Sequence, residues 1–167
     1  MRFSSVVSAF TVLCILLLPL TTVAAASAST AADFFGRRVY ITGVWTVKTT
    51  PDAVDFTDAS SSSRTLHLGK IPNNSCTYEA IRGKALKLWT GAVLQSNLRL
   101  QTLIIGHSHY RGYKWMEPAV GLPNQQHWCL AQDSKNSTEI TAAVTDKALV
   151  KFVDTNLLLQ VAVRKGL

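Results

Sequence analysis

The densest group of chemically active side chains lies at residues 106–115, where two histidines, three aromatic residues and two cations fall within ten positions. On an extended backbone alternate residues point to the same side, so His107 and His109 would share one face. Imidazole nitrogens are good ligands for Zn²⁺ and Cu²⁺, and His67 or His127 could supply the remaining nitrogens. His107 and His109 are therefore the candidate metal ligands.

The same segment also has the composition of a contact surface for a glycan or a protein partner. Tyr110, Tyr113 and Trp115 would stack on sugar rings, while Arg111 and Lys114 would hold acidic groups. A simpler interpretation is a hairpin whose exposed aromatic residues have no binding role. The residue types alone leave these alternatives open.

An acid–base pair is the third kind of chemistry that the residue types allow. Glu79 or Glu117, with His107, His109 or His127, would suit a metal-assisted secreted hydrolase. The sequence contains no Gly-x-Ser-x-Gly, His-Glu-x-x-His, phosphate-loop or Cys-x-x-Cys motif. We therefore expect a non-enzymatic protein, and we assign it no catalytic residue and no cofactor.

Residues 1–32 have the organisation of a secretory signal peptide. A basic start at Arg2 is followed by the apolar run 12–18 and by small residues that suit cleavage near positions 26–32. An uncleaved anchor and a mitochondrial presequence fit less well, because the apolar run is short and no cation follows Arg2 before Arg37. We expect a secreted or endomembrane-lumenal protein that meets the membrane only if the signal stays uncleaved.

The cysteines and two sequons agree with export. With Cys14 inside the signal, Cys76 and Cys129 form an even pair, which in an oxidising compartment is most simply a disulfide. Two unpaired buried thiols are the alternative. Asn73 and Asn136 each begin an Asn-x-Ser/Thr sequon in a polar stretch, and we expect both to be glycosylation sites.

The charge pattern bears on the choice of partner. The full chain has a net charge of +7, of which Arg2 would leave with the signal. The remaining cations are dispersed, with no block of five that would indicate a nucleic-acid tail. Such a surface could attract acidic glycans, anionic lipid or a negatively charged protein, or could serve only for solubility.

Residues 33–167 predict a single, mostly β domain, because β-branched and aromatic residues are grouped in short runs between turn-forming residues. The predicted strands are 39–49, 64–70, 77–81, 85–90, 98–105, 110–115, 127–132, 140–144, 149–153 and 157–163. A Ser-rich stretch at 52–63 has no apolar period and predicts a mobile loop. About eight short strands joined by tight turns indicate either an antiparallel barrel or a two-sheet sandwich.

The tripeptide Gly-Val-Trp at residues 43–45 resembles the Gly-x-Trp motif on the first barrel strand of the lipocalin family. The Thr-Asp pair at 145–146 is similar to a second lipocalin motif, although Lys147 stands where that motif has tyrosine. Arg164 lies on the predicted last strand, where lipocalins place an arginine against the tryptophan, here Trp45. The resemblance implies a barrel closed by a cation–π contact of about 0.5–2 kcal/mol.

A lipocalin-like barrel would enclose one small hydrophobic ligand, which is the first functional expectation. The candidate ligand-binding residues are then Trp45 and Trp89, together with Tyr110, Arg111, Tyr113, Lys114 and Trp115 of the aromatic and basic segment. Other apolar residues that could line the interior are Leu100, Leu103, Phe152 and Leu159. The same side chains would equally fill a solid core. A glycan- or protein-binding surface is the alternative function, and a secreted hydrolase is the third.

Overall fold

An antiparallel hairpin and an open seven-stranded sheet are the β-structures of the part of the chain described here. A computed structural model describes residues 28–88, 99–117 and 123–162. The hairpin consists of β1 (Ser29–Phe34) and β2 (Arg37–Thr42). Its two turn residues, Phe35 and Gly36, both have positive φ, which matches the type I′ turns that suit the twist of a hairpin.

The larger sheet is entirely antiparallel. Its strands are β3 (Trp45–Thr50), β4 (Ala53–Asp58), β5 (Ser61–Pro72), β6 (Gln101–Ile105), β7 (Ser108–Glu117), β8 (Gln125–Ala131) and β9 (Asn136–Ala143). Their order across the sheet is β3-β4-β5-β9-β8-β7-β6, so pairing of β5 with β9 joins two meanders. The sheet is not closed, because β3 and β6 form separate outer edges.

The mostly β, antiparallel prediction is therefore confirmed, but the closed barrel is wrong. The residues expected to supply the last strands, 149–153 and 157–163, are helical as far as Val161. They form α2 (Lys147–Phe152), a π-helical segment (Val153–Leu157) and α3 (Leu158–Val161). No C-terminal strand among the described residues can thus join β3 to β6. Among the described residues, a second sheet as a sandwich would require is represented only by the two-stranded hairpin.

A helical period explains the C-terminal difference. Leu149, Val153, Leu157 and Val161 recur every four residues, and all four are buried. Asp146 caps the first turn, because its carboxylate accepts a hydrogen bond from the backbone of Leu149 at 2.8 Å. Short apolar runs fit both a strand and a buried helix when they are read alone, and the cap favours the helix.

Three other predicted elements have a different structure. The runs at 77–81 and 85–90, predicted as strands, fall on α1 (Tyr78–Leu88) as far as the chain is described, apart from Thr77. The Ser-rich stretch 52–63, predicted as a mobile loop, forms β4, a tight turn and the beginning of β5. Val54 and Phe56 are buried there while Asp55 alternates with them, which is a strand period.

One face of the large sheet, here called the apolar face, carries the main core. The hairpin and the C-terminal helices cover this face. The largest contributors are Phe56, Leu66, Leu68, Trp128, Leu130 and Ile140 from the sheet, Val39 and Ile41 from the hairpin, and Leu149 and Leu157 from the helices. Each such side chain stabilises the fold by about 1.5–3 kcal/mol on burial. The chain itself therefore occupies the space beneath the apolar face.

The opposite face, here called the polar face, carries a smaller core beneath α1. Ile81 of α1 packs there with Trp115 and with a disulfide between Cys76 and Cys129, as predicted. The bond closes a loop with a sequence separation of 53. By the chain-entropy estimate a bond closing such a loop stabilises the fold by about 4 kcal/mol. It holds the start of α1 against β8.

Candidate functional site

Six side chains form a continuous row across the polar face, one from each of six neighbouring strands. We call these residues the polar row. In sheet order they are Lys48, Asp55, His67, Thr141, His127 and Trp115. Residues directly opposite one another on paired strands point to the same face, with neighbouring Cβ atoms about 4.5–5.5 Å apart. The row therefore places basic, acidic, hydroxyl and aromatic groups side by side.

His127 is the centre of the buried end of the row. Its Nδ1 lies 3.3 Å from Glu139 Oε1 and 3.4 Å from Thr141 Oγ1, and its Nε2 lies 3.5 Å from Glu117 Oε2. The ring stacks on Trp115 with a centroid distance of 5.0 Å and an interplanar angle of 16°. An imidazolium donates hydrogen bonds from both nitrogens, whereas neutral imidazole donates from one. Each ring nitrogen of His127 therefore faces a carboxylate.

Glu139 shows the effect of these neighbours on a carboxylate. The hydrogen bond from His127 lowers the pKa of Glu139 below its ordinary value, although burial acts in the opposite direction. The positive charges of Lys84 on α1, His127 and His67 lower the pKa further. Glu139 is thus an ionised group placed between two histidines, with a lysine above it.

His67 continues the arrangement toward the open part of the face. Its Nδ1 lies 2.6 Å from Asp55 Oδ1, and both side chains are almost half exposed. The ring leans over Gly69, where a Cβ atom would be 2.8 Å from His67 Nε2. Any other residue at Gly69 would displace the imidazole, and Gly69 pairs directly with Glu139 in the neighbouring strand.

The result is an alternating series of acids and imidazoles on five adjacent strands. We call it the acid–imidazole chain. Its members in order are Asp55, His67, Glu139, His127 and Glu117. Hydrogen bonds or close ion pairs join all neighbours except His67 and Glu139, which interact through their charges.

Exposure changes steadily along the polar row. Lys48 on the edge strand is exposed, the side chains of Asp55 and His67 are 45% and 43% exposed, and that of His127 is 11% exposed. A second row of three threonines, Thr46, Thr57 and Thr65, runs beside the exposed half. The accessible half of the row therefore offers both hydrogen-bond donors and acceptors to a ligand. The buried half lies beside it on the same face of the sheet.

The aromatic and basic segment at 106–115 does not lie on a single face of the sheet. Strand alternation divides it, because Tyr110 and Lys114 lie toward the apolar face and Tyr113 and Trp115 toward the polar face. Lys114 Nζ donates to Asp154 Oδ2 at 2.5 Å, so its charge is already paired. Trp115 is buried under His127 and has little ring surface to offer a sugar.

The candidate metal ligands His107 and His109 lie apart from the polar row. His107 is in the turn between β6 and β7, His109 is near the start of β7, and both are exposed, as is Arg111. His67 and His127 belong to the polar row instead. Among residues 28–88, 99–117 and 123–162, no group of three or more His, Cys, Asp or Glu side chains is placed to hold a metal ion.

Trp45 is a core residue of the apolar face. Its indole Nε1 donates to the backbone of Thr42 at 3.0 Å, and the guanidinium of Arg64 lies 4.9 Å from its ring centroid. A cation–π contact at this tryptophan was implied by the lipocalin resemblance, but with Arg164 as the cation. Arg164 and Trp89 lie outside the described residues.

Arg64 also borders a shallow cavity of about 210 Å³ at one end of the sheet. The cavity is lined by Ser63, Arg64, Thr65, Ala143, Thr145, Asp146 and Leu149. Arg64 donates to both Asp146 and Asp58, and the hydrogen bond to Asp146 is the main reason that the pKa of Arg64 is raised. Because two carboxylates already neutralise this guanidinium, it is poorly suited to hold an anionic ligand.

The two sequons meet at adjacent strand ends. Asn73 Nδ2 donates to the backbone of Asp133 at 2.7 Å, and its Oδ1 accepts from Ser137 Oγ at 2.6 Å. Asn136 pairs with Pro72, next to Asn73. The Asn73 amide therefore has a structural role at this end of the sheet, and glycosylation of Asn73 and Asn136 stays a prediction.

Sequence reasoning missed Asp55, Glu139 and Thr141 as partners of the histidines. A weak signal was available, because Asp55 alternates with buried Val54 and Phe56 on β4. Such alternation identifies the face of a residue but not the residue beside it on the next strand. Pairing of β5 with β9 was needed to bring the two histidines into one row.

Comparison with family models finds no match, and a search of curated proteins finds no significant relative. Within the described part of the chain, no helix has both the length and the apolar character needed to cross a bilayer.

Proposed function

We propose that this chain is an exported binding domain that recognises a polar glycan on the exposed half of the polar row. The observation that carries the proposal is the placement of Lys48, Asp55 and His67 directly opposite one another on three strands. Their side chains supply a cation, a carboxylate and an imidazole at the spacing of neighbouring strands. Sugar hydroxyls both donate and accept hydrogen bonds, so a mixed row of this kind suits them.

The surroundings of the row support a glycan in preference to a protein partner. Protein interfaces depend on buried aromatic and apolar anchors, whereas the accessible residues beside this row are threonines. Tyr78 on α1 is 43% exposed and contacts Tyr113 with a centroid distance of 6.5 Å. Tyr78 therefore places an aromatic ring on the same side of the molecule as the polar row, and a sugar could stack on this ring.

The small hydrophobic ligand expected from the lipocalin resemblance has less support. Such a ligand needs a hollow between the sheet and what covers it. Here Phe56, Trp128 and Ile140 of the sheet are fully buried against the hairpin and the C-terminal helices. An apolar occupant would have to displace part of this core, at a cost of several kcal/mol.

Two observations support export. A disulfide between Cys76 and Cys129 is typical of an oxidising compartment. The hairpin is also compatible with signal cleavage after Ala26 or Ala28, because β1 begins at Ser29. Cleavage after Ala32 would remove most of β1, so we propose that the mature chain begins at Ser27 or Ser29.

The decisive experiment is a binding screen of the secreted protein against neutral and acidic glycans, followed by variants of the row. Lys48→Ala combined with Asp55→Ala should weaken any binding found by about tenfold or more, which corresponds to roughly 1.4 kcal/mol. Asp33→Ala with Lys151→Ala is the matched control, since it removes the same charges from exposed positions on the elements that cover the apolar face. Failure to bind any glycan, or equal binding by the two double variants, would overturn the proposal.

Hydrolysis is a second candidate that one observation favours. Glu117 and His127 are brought to 3.5 Å, with the hydroxyl of Thr141 on the other side of the ring at 3.4 Å. A base between a hydroxyl and a carboxylate is the arrangement that activates a nucleophile. Turnover of chromogenic esters or glycosides that disappears in His127→Gln would support this function. Equal turnover by the wild type and His127→Gln would exclude it.

A further inference from the structure

The charge of the polar face depends on whether its two histidines are protonated. Three carboxylates face this region, from Asp55 on β4, Glu117 on β7 and Glu139 on β9. Two lysines face it, Lys48 on β3 and Lys84 on α1. With neutral imidazoles the group carries one net negative charge. With both imidazoles protonated it carries one net positive charge.

The geometry couples the two imidazoles to these carboxylates. Both nitrogens of His127 face carboxylates, and Nδ1 of His67 lies 2.6 Å from Asp55. Glu139 lies between the two rings and interacts with both. A proton taken up by His127 therefore neutralises negative charge in the buried half of the row. A proton taken up by His67 adds positive charge where the row is exposed.

We propose that the polar face is a pH-dependent site for an acidic glycan, bound when His67 and His127 are protonated and released as the pH rises toward neutrality. The proposal rests on the glycan-binding function proposed above and adds the ligand class and its control. A sulfate or carboxylate of the ligand would contact Lys48 and His67. His127 would act indirectly, by cancelling the charge of Glu139.

Two features of the chain favour an anionic ligand. The full chain has a net charge of +7, which stays positive after Arg2 leaves with the signal and attracts anions to the protein from a distance. Imidazole is also the side chain whose protonation changes between about pH 5 and 8, the range that exported proteins meet between endomembrane compartments and the cell surface. Protonation of the two imidazoles would thus reverse the local charge of the polar face, while the net charge of the chain stays positive.

The test measures the affinity of the secreted full domain for a sulfated oligosaccharide and for its unsulfated counterpart, at about pH 5.5 and 7.5 and constant ionic strength. The sulfated probe should bind about tenfold or more tightly at the lower pH, because the site gains two positive charges. The unsulfated probe should bind with similar affinity at both values.

The four histidines of the chain supply a matched control. His67→Gln with His127→Gln should abolish the dependence on pH. His107→Gln with His109→Gln should keep it, because these two residues lie at or near the turn between β6 and β7. His109 is six residues, or roughly 20 Å of strand, from Trp115. If the buried His127→Gln substitution prevents folding, His67→Gln alone replaces the double variant. The single variant should lose part of the pH dependence of binding.

Each outcome decides one of the two proposals. Wild-type binding of the sulfated probe that is equal at both pH values overturns the pH-dependent site, even where the glycan function holds. Equal loss of pH dependence in both histidine pairs overturns it as well, since general surface charge would then be responsible. If neither probe, nor any other glycan, binds at either pH, the glycan-binding function itself fails.

Discussion

The side-chain amide of Gln160 pairs with the backbone of Tyr40 as a neighbouring strand would. Gln160 Oε1 accepts a hydrogen bond from Tyr40 N at 2.7 Å, and Gln160 Nε2 donates to Tyr40 O at 3.0 Å. Arg37 adds a bond to the backbone of Ala162 at 2.7 Å. The C-terminal helix thereby covers part of the open edge of β2 and fixes the hairpin over the core.

Gln160→Ala should therefore destabilise the fold by about 1–2 kcal/mol, because two hydrogen bonds are lost and an edge is uncovered. Denaturant unfolding measures the change. Leu159→Ala is the control, since Leu159 is 57% exposed and its loss should change stability by less than about 0.5 kcal/mol. Equal effects of the two substitutions would show that the Gln160 amide has no special role.

Substitution of Asp154 should lower the free energy of unfolding more than substitution of its exposed neighbours. It lies in the π-helical segment, accepts from the indole of fully buried Trp128 at 2.8 Å and pairs with Lys114. Asp154→Ala leaves the indole N–H without its partner and should cost about 2–3 kcal/mol. Asn156→Ala, two residues further along the chain and at an exposed position, should change the free energy of unfolding little. Chemical denaturation followed by tryptophan fluorescence compares the two, and similar midpoints would contradict the prediction.

Asp58 should make stability dependent on pH in the acid range. Hydrogen bonds from Ser60 and then Arg64 lower the pKa of Asp58 from 3.8 to about 2. As the pH falls, the unfolded chain takes up this proton first, so the contribution is complete above 3.8 and disappears toward about 2. Thermal unfolding of Asp58→Asn should show a shallower loss of stability over that range than the wild type. An unchanged slope would refute the assignment.

The position of the mature N-terminus can be tested by truncation. Thr30 Oγ1 donates to Gly43 O and accepts from Trp45 N, both at 3.0 Å, and Ala32 is buried. A chain that begins at Ser29 should fold, whereas one that begins at Asp33 should lose about 2 kcal/mol or more from these two hydrogen bonds and from β1 pairing. Intact mass of the secreted protein should identify Ser27 or Ser29 as its first residue. Full stability of the shorter chain would contradict this prediction.

Several elements were predictable because their signals are local. Aromatic residues between turn-forming ones predicted strands at 110–115 and 127–132, which lie on β7 and, apart from Gln132, on β8. The pairing of Cys76 with Cys129 followed from counting cysteines. The loop predicted at 52–63 failed for a reason that is also local. Its serines are typical of a loop, but apolar Val54 and Phe56 flank polar Asp55, which is the local period of a strand.

Sequence patterns were enough to show which residues alternate across a strand and how many cysteines can pair. That residues 149–161 are helical, and that His67 and His127 share one row, depends on the tertiary structure. An apolar run gains its helical form from the core that it covers, and neighbours across a sheet depend on the register between β5 and β9. The register joins chain segments far apart in sequence, and no local pattern contains it. A local period and the Asp146 cap permit a helix at 149–161, and the core that it covers selects the helix over a strand.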